Sequence, residues 1–328
     1  MTDNTRRALL LGSAALLFTP LARAQTSYPA RPIRILVGFA AGGGVDTVTR
    51  LYAQKLSDLL KTPVIVENKP GASELLAVQA LLNSQPDGYT LWMSSASGLV
   101  RNPSVRSDIP YDPLKDLTFI SRVAEVEALY VVRPGLPVNS VSDLVKYAKE
   151  HPGKLNYGSA GVGSSNHLLT EQLKMLTGID MVHVPFKSDA EVARELAAGT
   201  LDFAIAITTF TVPFVKDGRL KAIAVTGSRR LDDLPDVPTL DESEIPQIHG
   251  LGNYLFYGLA GPAGLPPAIV KTLNDGLNTA AGMPETVQTL QKARMQAVTS
   301  SPPDVRQFVE KEVNNWKKIG KTIKIEAY

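Results

Sequence analysis

The chain has 328 residues, 44% hydrophobic and 20% charged, with 34 basic against 32 acidic side chains and no cysteine. It is too apolar for disorder and long enough for two domains of about 100–200 residues each. The missing thiols exclude disulfides, thiol catalysis and thiolate metal sites. The near-zero balance excludes the basic face of a nucleic-acid binder. Lys317, Lys318, Lys321 and Lys324 cluster among acidic neighbours and read as a solvated helix face.

Arg6 and Arg7 precede an apolar run from Ala8 to Phe18, and Ala22-Arg23-Ala24 then forms a small-x-small cleavage pattern. This predicts a signal peptide over residues 1–24 and a periplasmic protein, since a membrane span needs about 20 apolar residues. Cleavage there leaves 31 basic and 31 acidic residues. Two arginines suit a twin-arginine or a general secretory signal, so the route stays open.

Ile33–Phe39 is a β-branched run of buried-strand type, followed by Ala40-Ala41-Gly42-Gly43-Gly44. Val45, Val48, Tyr52, Leu56 and Leu59 then recur at steps of three and four, which predicts a helix with one apolar stripe. The strand Val64–Glu67 closes a βαβ unit with its loops at the strand C-termini. About 120 residues later Leu155–Ser159, Ala160–Ser165, a stripe of Leu168, Leu169, Gln172, Leu173 and Leu176, and Met181–Val184 repeat the arrangement. At that offset Gly38 faces Gly158 and Asp46 faces Asn166.

Two similar α/β lobes follow from this repeat. Ile120–Val132 reads as the first crossing between them, and the return falls between Ala222–Val225 and Tyr254–Gly258, across the Pro-rich stretch Leu234–Pro238. Two crossings make a hinge. The expected division is residues 25–123 plus 246–328 for lobe 1 and 124–245 for lobe 2. A last helix, N-capped by Ser301, carries the stripe Val305, Phe308, Val309, Glu312, Val313, Trp316 and Ile319, which docks it onto lobe 1.

Each glycine-rich turn directs the free N–H groups of a helix start at the space between the lobes, a site for a carboxylate or phosphate. Both turns lack the third glycine of a dinucleotide fingerprint, so no cofactor is expected. Asp46 complements a helix dipole. His167 and Glu171 have the i, i+4 spacing of a metal pair, but His151, His183 and His249 add no partnering pattern, and no metal is expected. Ser94, Ser95, Ser97, Ser164 and Ser165 lie near glycines without a G-x-S-x-G context. A secreted serine hydrolase and a ligand sensor feeding a signalling partner remain the alternatives to a binding protein. Trp92, Tyr254 and Tyr257 read as packing, although Trp92 ends a strand that can border the cleft.

Val66-Glu67-Asn68-Lys69-Pro70-Gly71-Ala72, Pro86-Asp87-Gly88-Tyr89-Thr90-Leu91, Pro152-Gly153-Lys154-Leu155-Asn156-Tyr157, His183-Val184-Pro185-Phe186-Lys187 and Leu234-Pro235-Asp236-Val237-Pro238 resemble the Bug (TctC-type) solute receptors over essentially the whole mature chain. The resemblance implies a two-lobe periplasmic-binding-protein (Venus flytrap) architecture with a hinge of crossing strands. It implies a monomeric receptor without enzymatic activity that captures a small carboxylate for the membrane permease subunits of a tripartite tricarboxylate transporter. Carried over by position, the ligand residues are Phe39, Gly42, Gly43, Gly44 and Asp46 in lobe 1 and Ser159, Gly161, Val162, Gly163, Ser164, Ser165 and His167 in lobe 2. Ala72, Ser73, Ser95, Ser97, Phe186 and Thr208 are assigned to the ligand's tail.

Three departures qualify the substrate. Pro70-Gly71-Ala72-Ser73-Glu74 stands where the family commonly has Pro-Gly-Ala-Gly-Gly, and Phe186-Lys187-Ser188-Asp189 where it commonly has Tyr-Lys-Gly. Phe203–Thr208 is apolar where relatives often place Asp or Asn, which favours an aromatic or aliphatic carboxylate over citrate unless strand alternation buries those side chains in the core.

Overall fold

The computed structural model describes residues 28–71, 74–253 and 255–321. The expected signal peptide over residues 1–24 lies outside the described residues. In chain order, β1 (Ile33–Val37), β2 (Val64–Asn68), β3 (Thr90–Ser95) and β4 (Leu117–Val126) belong to a first sheet. A second sheet contains β5 (Ala128–Val132), β6 (Asn156–Ser159), β7 (Val182–Pro185), β8 (Phe203–Ile207) and β9 (Lys221–Val225). β10 (Leu255–Pro262) and β11 (Met295–Ala297) return to the first.

The orders are β11-β4-β10-β3-β1-β2 and β7-β6-β8-β5-β9. Both sheets are mixed. β1 runs parallel to β2 and β3, and β6 runs parallel to β7 and β8, each through a crossover helix. β10 is antiparallel to both β3 and β4, and β5 is antiparallel to β8 and β9. β3, β5 and β10 are buried along their whole length, so none shows the alternating burial of a half-exposed strand.

The periodic helices are where the sequence puts them. Gly44–Leu60 buries Val45, Val48, Tyr52 and Leu56, and the Tyr52 hydroxyl donates to the Val123 carbonyl at 2.8 Å. Leu59, expected on the same stripe, is 37% exposed: the helix stops one residue later, where Lys61 turns the chain at φ 53°. Ser165–Thr177 buries Leu168, Leu169 and Leu173 against the second sheet. Pro302–Ile319 buries Val305, Val309, Glu312, Val313 and Trp316. Its Phe308 meets Phe256 of β10 edge-on at 5.3 Å, which docks the helix on the first sheet.

β4 stays in the first sheet to Val126 and β5 opens the second at Ala128, so the chain crosses at Glu127. The return crossing comes later than the Pro-rich stretch that the sequence suggested. Val225 bridges Thr239 in parallel, and Leu234 and Val237 pack on the second lobe's core of Leu129, Val131, Val192 and Leu196. Those prolines therefore shape a flap of the second lobe. The two crossings are tied together, because the Ala128 N–H donates to Thr226 Oγ1 at 2.8 Å and the Gly227 N–H to Asn253 Oδ1 at 2.8 Å.

The Ser301 hydroxyl accepts from the Asp304 N–H, and the Asp304 carboxylate reaches back to Ser301, a reciprocal cap that satisfies two otherwise unpaired donors. Ser301→Ala should lower the unfolding free energy by about 1 kcal/mol in a urea titration, with the slope against urea unchanged.

Candidate functional site

β1 and β6 each end in a glycine turn that feeds a helix, and the two turns are built alike. In the first lobe the Gly42 N–H, at φ +83°, donates to Asp46 Oδ2 at 2.9 Å, and Asn68 Nδ2 donates to Asp46 Oδ1 at 2.8 Å. In the second, the Ala160 N–H donates to Asn166 Oδ1 at 3.2 Å, and Asn166 Nδ2 donates to Asp189 at 2.9 Å. The Gly163 N–H donates to His167 Nδ1 at 3.0 Å. Asp46 and Asn166, matched by sequence offset, thus do the same work of holding a turn closed from inside the helix.

Neither helix start has a side-chain cap. Gly43, the N-cap of Gly44–Leu60, has no side chain to offer. Ser164, the N-cap of Ser165–Thr177, turns its hydroxyl to the Gly161 carbonyl and Asn166 Oδ1, both at 2.6 Å, and not to its own helix. First-turn N–H groups have no intrahelical acceptor, so those of Gly44, Val45, Ser165 and Asn166 keep their dipole-enhanced donor capacity for something else. Burial works against ionisation of Asp46, but hydrogen bonds from Arg50, Gly42 and Asn68 outweigh it and hold its carboxyl below the usual range. Arg50 pairs with it at 3.0 Å, which cancels a charge that would repel an anion.

Two adjoining cavities lie between the sheets and share Phe39, Ala40, Ala160, Ser164 and Lys187. One, about 700 Å³ with its open mouth, receives both helix starts (Gly43, Gly44, Val45; Ser164, Ser165, Asn166); its other walls are mostly apolar, among them Leu169, Ile205, Ile207, Leu255 and Phe256, with Ser95, Lys187, Ser188, Asp189 and Tyr257 as polar members. The other, about 1600 Å³ with its open mouth, holds Glu74, Ser97, Asn102, Arg106, Asp108, Phe186 and the turn Gly161-Val162-Gly163. Glycine is a steric requirement where the lobes meet. A Cβ on Gly44 would overlap the Tyr257 hydroxyl and touch Ile207 of the opposite lobe. One on Gly163, at φ +78°, would overlap Asn102 of the first lobe. Gly43, at φ −74° and with a Cβ meeting only the Ala40 carbonyl at ordinary contact distance, needs no glycine-only backbone angle.

Of the residues singled out by sequence, Phe39, Gly43, Gly44, Ser95, Ser97, Gly161, Val162, Gly163, Ser164, Ser165 and Phe186 line these cavities. Gly42, Asp46, Ser159 and His167 stand behind them and hold the turns. Ala72 and Ser73 lie outside the described residues, as does Tyr254. Thr208 is a correction: it is fully buried as the first residue of the helix after β8, its hydroxyl 3.4 Å from the Arg294 carbonyl, and it lines neither cavity. Alternation along β8 sends Ile205 and Ile207 to the cavity and Ala204 and Ala206 to the core, so the wall is apolar where the sequence suggested a drier pocket. Trp92 is core, edge-on to Tyr111 at 6.3 Å, whereas Tyr257, read from sequence as packing, is a cavity residue.

His167 and Glu171 are committed elsewhere than to a metal. Tyr157 and Lys174 both contact Glu171 Oε1, at 2.6 and 2.8 Å, and the tilted rings of His167 and His183 lie 4.2 Å apart. Burial pushes His167 down to about 3 and His183 to about 4, so both rings are neutral at pH 7, and His167 Nδ1 is free to accept from Gly163. Ser159 is fully buried, 2.6 Å from His183 Nε2.

Glu74 is a cavity-lining residue that sequence reasoning did not place in the site, marked only as a departure from a family glycine. At φ 73° it occupies a backbone conformation that glycine favours, and its side chain fills the space beside Gly38. Ser94 donates to Oε2 at 2.6 Å, and Ser97 and Ser95 donate to Oε1 at 3.1 and 3.4 Å. Burial nevertheless pushes the carboxyl up to about 8. Between about pH 4.5 and 8 the folded protein keeps this proton while the unfolded chain loses it, so the group lowers stability as pH rises through that window, by at most about 1.4 kcal/mol per pH unit. Urea titrations at pH 5, 6.5 and 8 should show Glu74→Gln gaining on the parent protein as pH rises; a constant difference would contradict the assignment.

Residues 48–325 match the family described as the tripartite tricarboxylate transporter family receptor, TctC. A Cupriavidus necator protein, "UPF0065 protein in gbd 5'region", is 36% identical over 94% of this chain and 91% of its own length. The solved structure of Rpa4515 from R. palustris with adipate is 31% identical, with a TM-score of 0.82 over 90% of this chain and 98% of that one. The periplasmic binding protein BugD is 29% identical, with a TM-score of 0.82 over 91% of this chain and 99% of that one. With two mixed sheets joined at a double crossing, and relatives of this kind along its length, the chain belongs to the TctC (Bug) family of periplasmic solute receptors for tripartite tricarboxylate transporters, and it is a receptor rather than an enzyme.

Proposed function

We propose that this receptor binds a small carboxylate between its lobes, the carboxyl group held by the uncapped helix starts at Gly44 and Ser165. The observation that carries the reading is that both starts, one from each lobe, border a single cavity whose remaining walls are largely apolar. Backbone N–H groups and two helix dipoles favour an anion without a charged side chain, and Lys187 at the rim adds to the attraction. The adipate bound by Rpa4515 supports the same class of ligand here. Ile205 and Ile207 favour an aliphatic or aromatic body over a citrate-like one.

The reading extends to the cell. Residues 1–24 direct export and are cleaved near Ala24, the two lobes, whose first boundary falls at Glu127 rather than at 123/124, close on the ligand, and the monomer hands its ligand to membrane permease subunits. Glu127 and the paired 226–227 and 253 contacts are the hinge. Binding favours the closed state because only there do both sets of donors reach one carboxylate.

Gly163→Val places side-chain atoms where Asn102 of the opposite lobe sits, and Gly44→Ala places a Cβ against the Tyr257 hydroxyl of its own lobe and Ile207 of the other; each should weaken carboxylate binding at least tenfold in calorimetry while leaving the circular dichroism spectrum unchanged. Small-angle scattering should show the parent protein compacting at saturating ligand. A methyl ester of the same ligand should bind poorly. Tight binding by Gly163→Val without compaction of the parent protein would overturn the clamp.

A further inference from the structure

The two cavities beside the paired turns offer a ligand different chemistry. In the wider one stands Asn102, which is 1% exposed, and neither its Oδ1 nor its Nδ2 has a hydrogen-bond partner. A buried amide with both ends unpaired is costly, and the cost is relieved only by a group that brings one acceptor and one donor. Asn102 also abuts the second lobe's turn at Gly163, so it is in place when the lobes meet.

We propose that Asn102 reads the far end of the ligand and that this end is a neutral primary carboxamide, not a second carboxylate. The inference rests on the carboxylate reading above and names the substrate class more narrowly. A carboxamide faces Asn102 with two antiparallel hydrogen bonds: Nδ2 donates to the ligand carbonyl, and the ligand N–H donates to Oδ1. A carboxylate has no proton for Oδ1, and its second oxygen meets another acceptor.

The charges around Asn102 agree. Arg106 is the neighbouring cation, but its Nε and Nη2 donate to Asp108 Oδ1 and Oδ2 at 3.0 and 2.5 Å, so its charge is matched. Glu74 lines the same cavity beside Ser97, and its carboxyl oxygens, engaged by Ser94, Ser95 and Ser97, put no cation there to hold a second carboxylate. Lys187, exposed and common to both cavities, complements the carboxylate at the turns instead.

The test is calorimetry on the purified receptor with matched probes: succinate and succinamate, glutarate and glutaramate, adipate and adipamate, with butanoate, pentanoate and hexanoate as acids that lack a polar far end. At the chain length that binds best, the monoamide is expected to bind at least tenfold tighter than the dicarboxylate. Asn102→Leu, of similar size and without a donor or acceptor, should weaken the monoamide tenfold and the simple acid less than threefold, with the melting temperature kept; Asn102→Ala repeats the comparison should the leucine variant not fold. Dicarboxylates binding as tightly as their monoamides at every length would overturn the proposal, as would an Asn102→Leu loss that is equal for monoamide and simple acid. Simple acids that bind with no amide preference sink only this inference, whereas the absence of binding by every carboxylate removes the carboxylate reading and this inference with it.

Discussion

Two helix starts with unspent backbone donors must meet across a hinge without any side chain between them. That constraint explains most of the molecule's unusual choices. An uncapped helix N-terminus leaves N–H groups and dipole unsatisfied, and here both N-cap positions leave them so: Gly43 has no side chain, and Ser164 turns its own to Gly161 and Asn166. The turns then need support from elsewhere. Asp46 and Asn166 supply it from inside each helix, braced by Asn68 and Asp189. His167 supplies it only as a neutral ring, and its burial against His183 keeps it neutral. Gly44 leaves room for Tyr257 of its own lobe and Ile207 of the other, and Gly163 for Asn102 and Arg106 of the opposite lobe.

Much of this was legible in the sequence because it is local. The βαβ unit, the stripe through Val45, Val48, Tyr52 and Leu56, and the cap at Ser301 all depend on residues near one another in the chain, and the offset pairing Asp46 with Asn166 is a repeat of such a local pattern. The first crossing was legible too, since β4 and β5 are separated by one residue and read as one extended run. The Pro-rich stretch misled because its prolines suggest a linker, whereas Leu234 and Val237 give it apolar anchors on the second lobe.

The rest of the site is tertiary and left no local signal. Asn102 sits after a π-helical turn, and nothing in the surrounding residues says that its amide lacks a partner. Glu74 reads as an ordinary surface acid until Ser94, Ser95 and Ser97, twenty and more residues on, are folded round it. Its one sequence trace is a family glycine position, and the reason is visible only as φ 73°. Thr208 failed for the opposite reason: strand periodicity continued through it, but a helix begins there and turns its hydroxyl away from the ligand space.

Amide nitrogen shifts report hydrogen bonds to individual backbone donors, so the most direct measurement is a ¹⁵N correlation spectrum of the receptor titrated with a carboxylate that binds. The account predicts that the Gly44, Val45, Ser165 and Asn166 amides move together, with one dissociation constant, while the Gly42 and Gly163 amides, already committed to Asp46 and His167, shift less. Shifts confined to one lobe's helix start, or absent from both, would contradict the two-helix clamp.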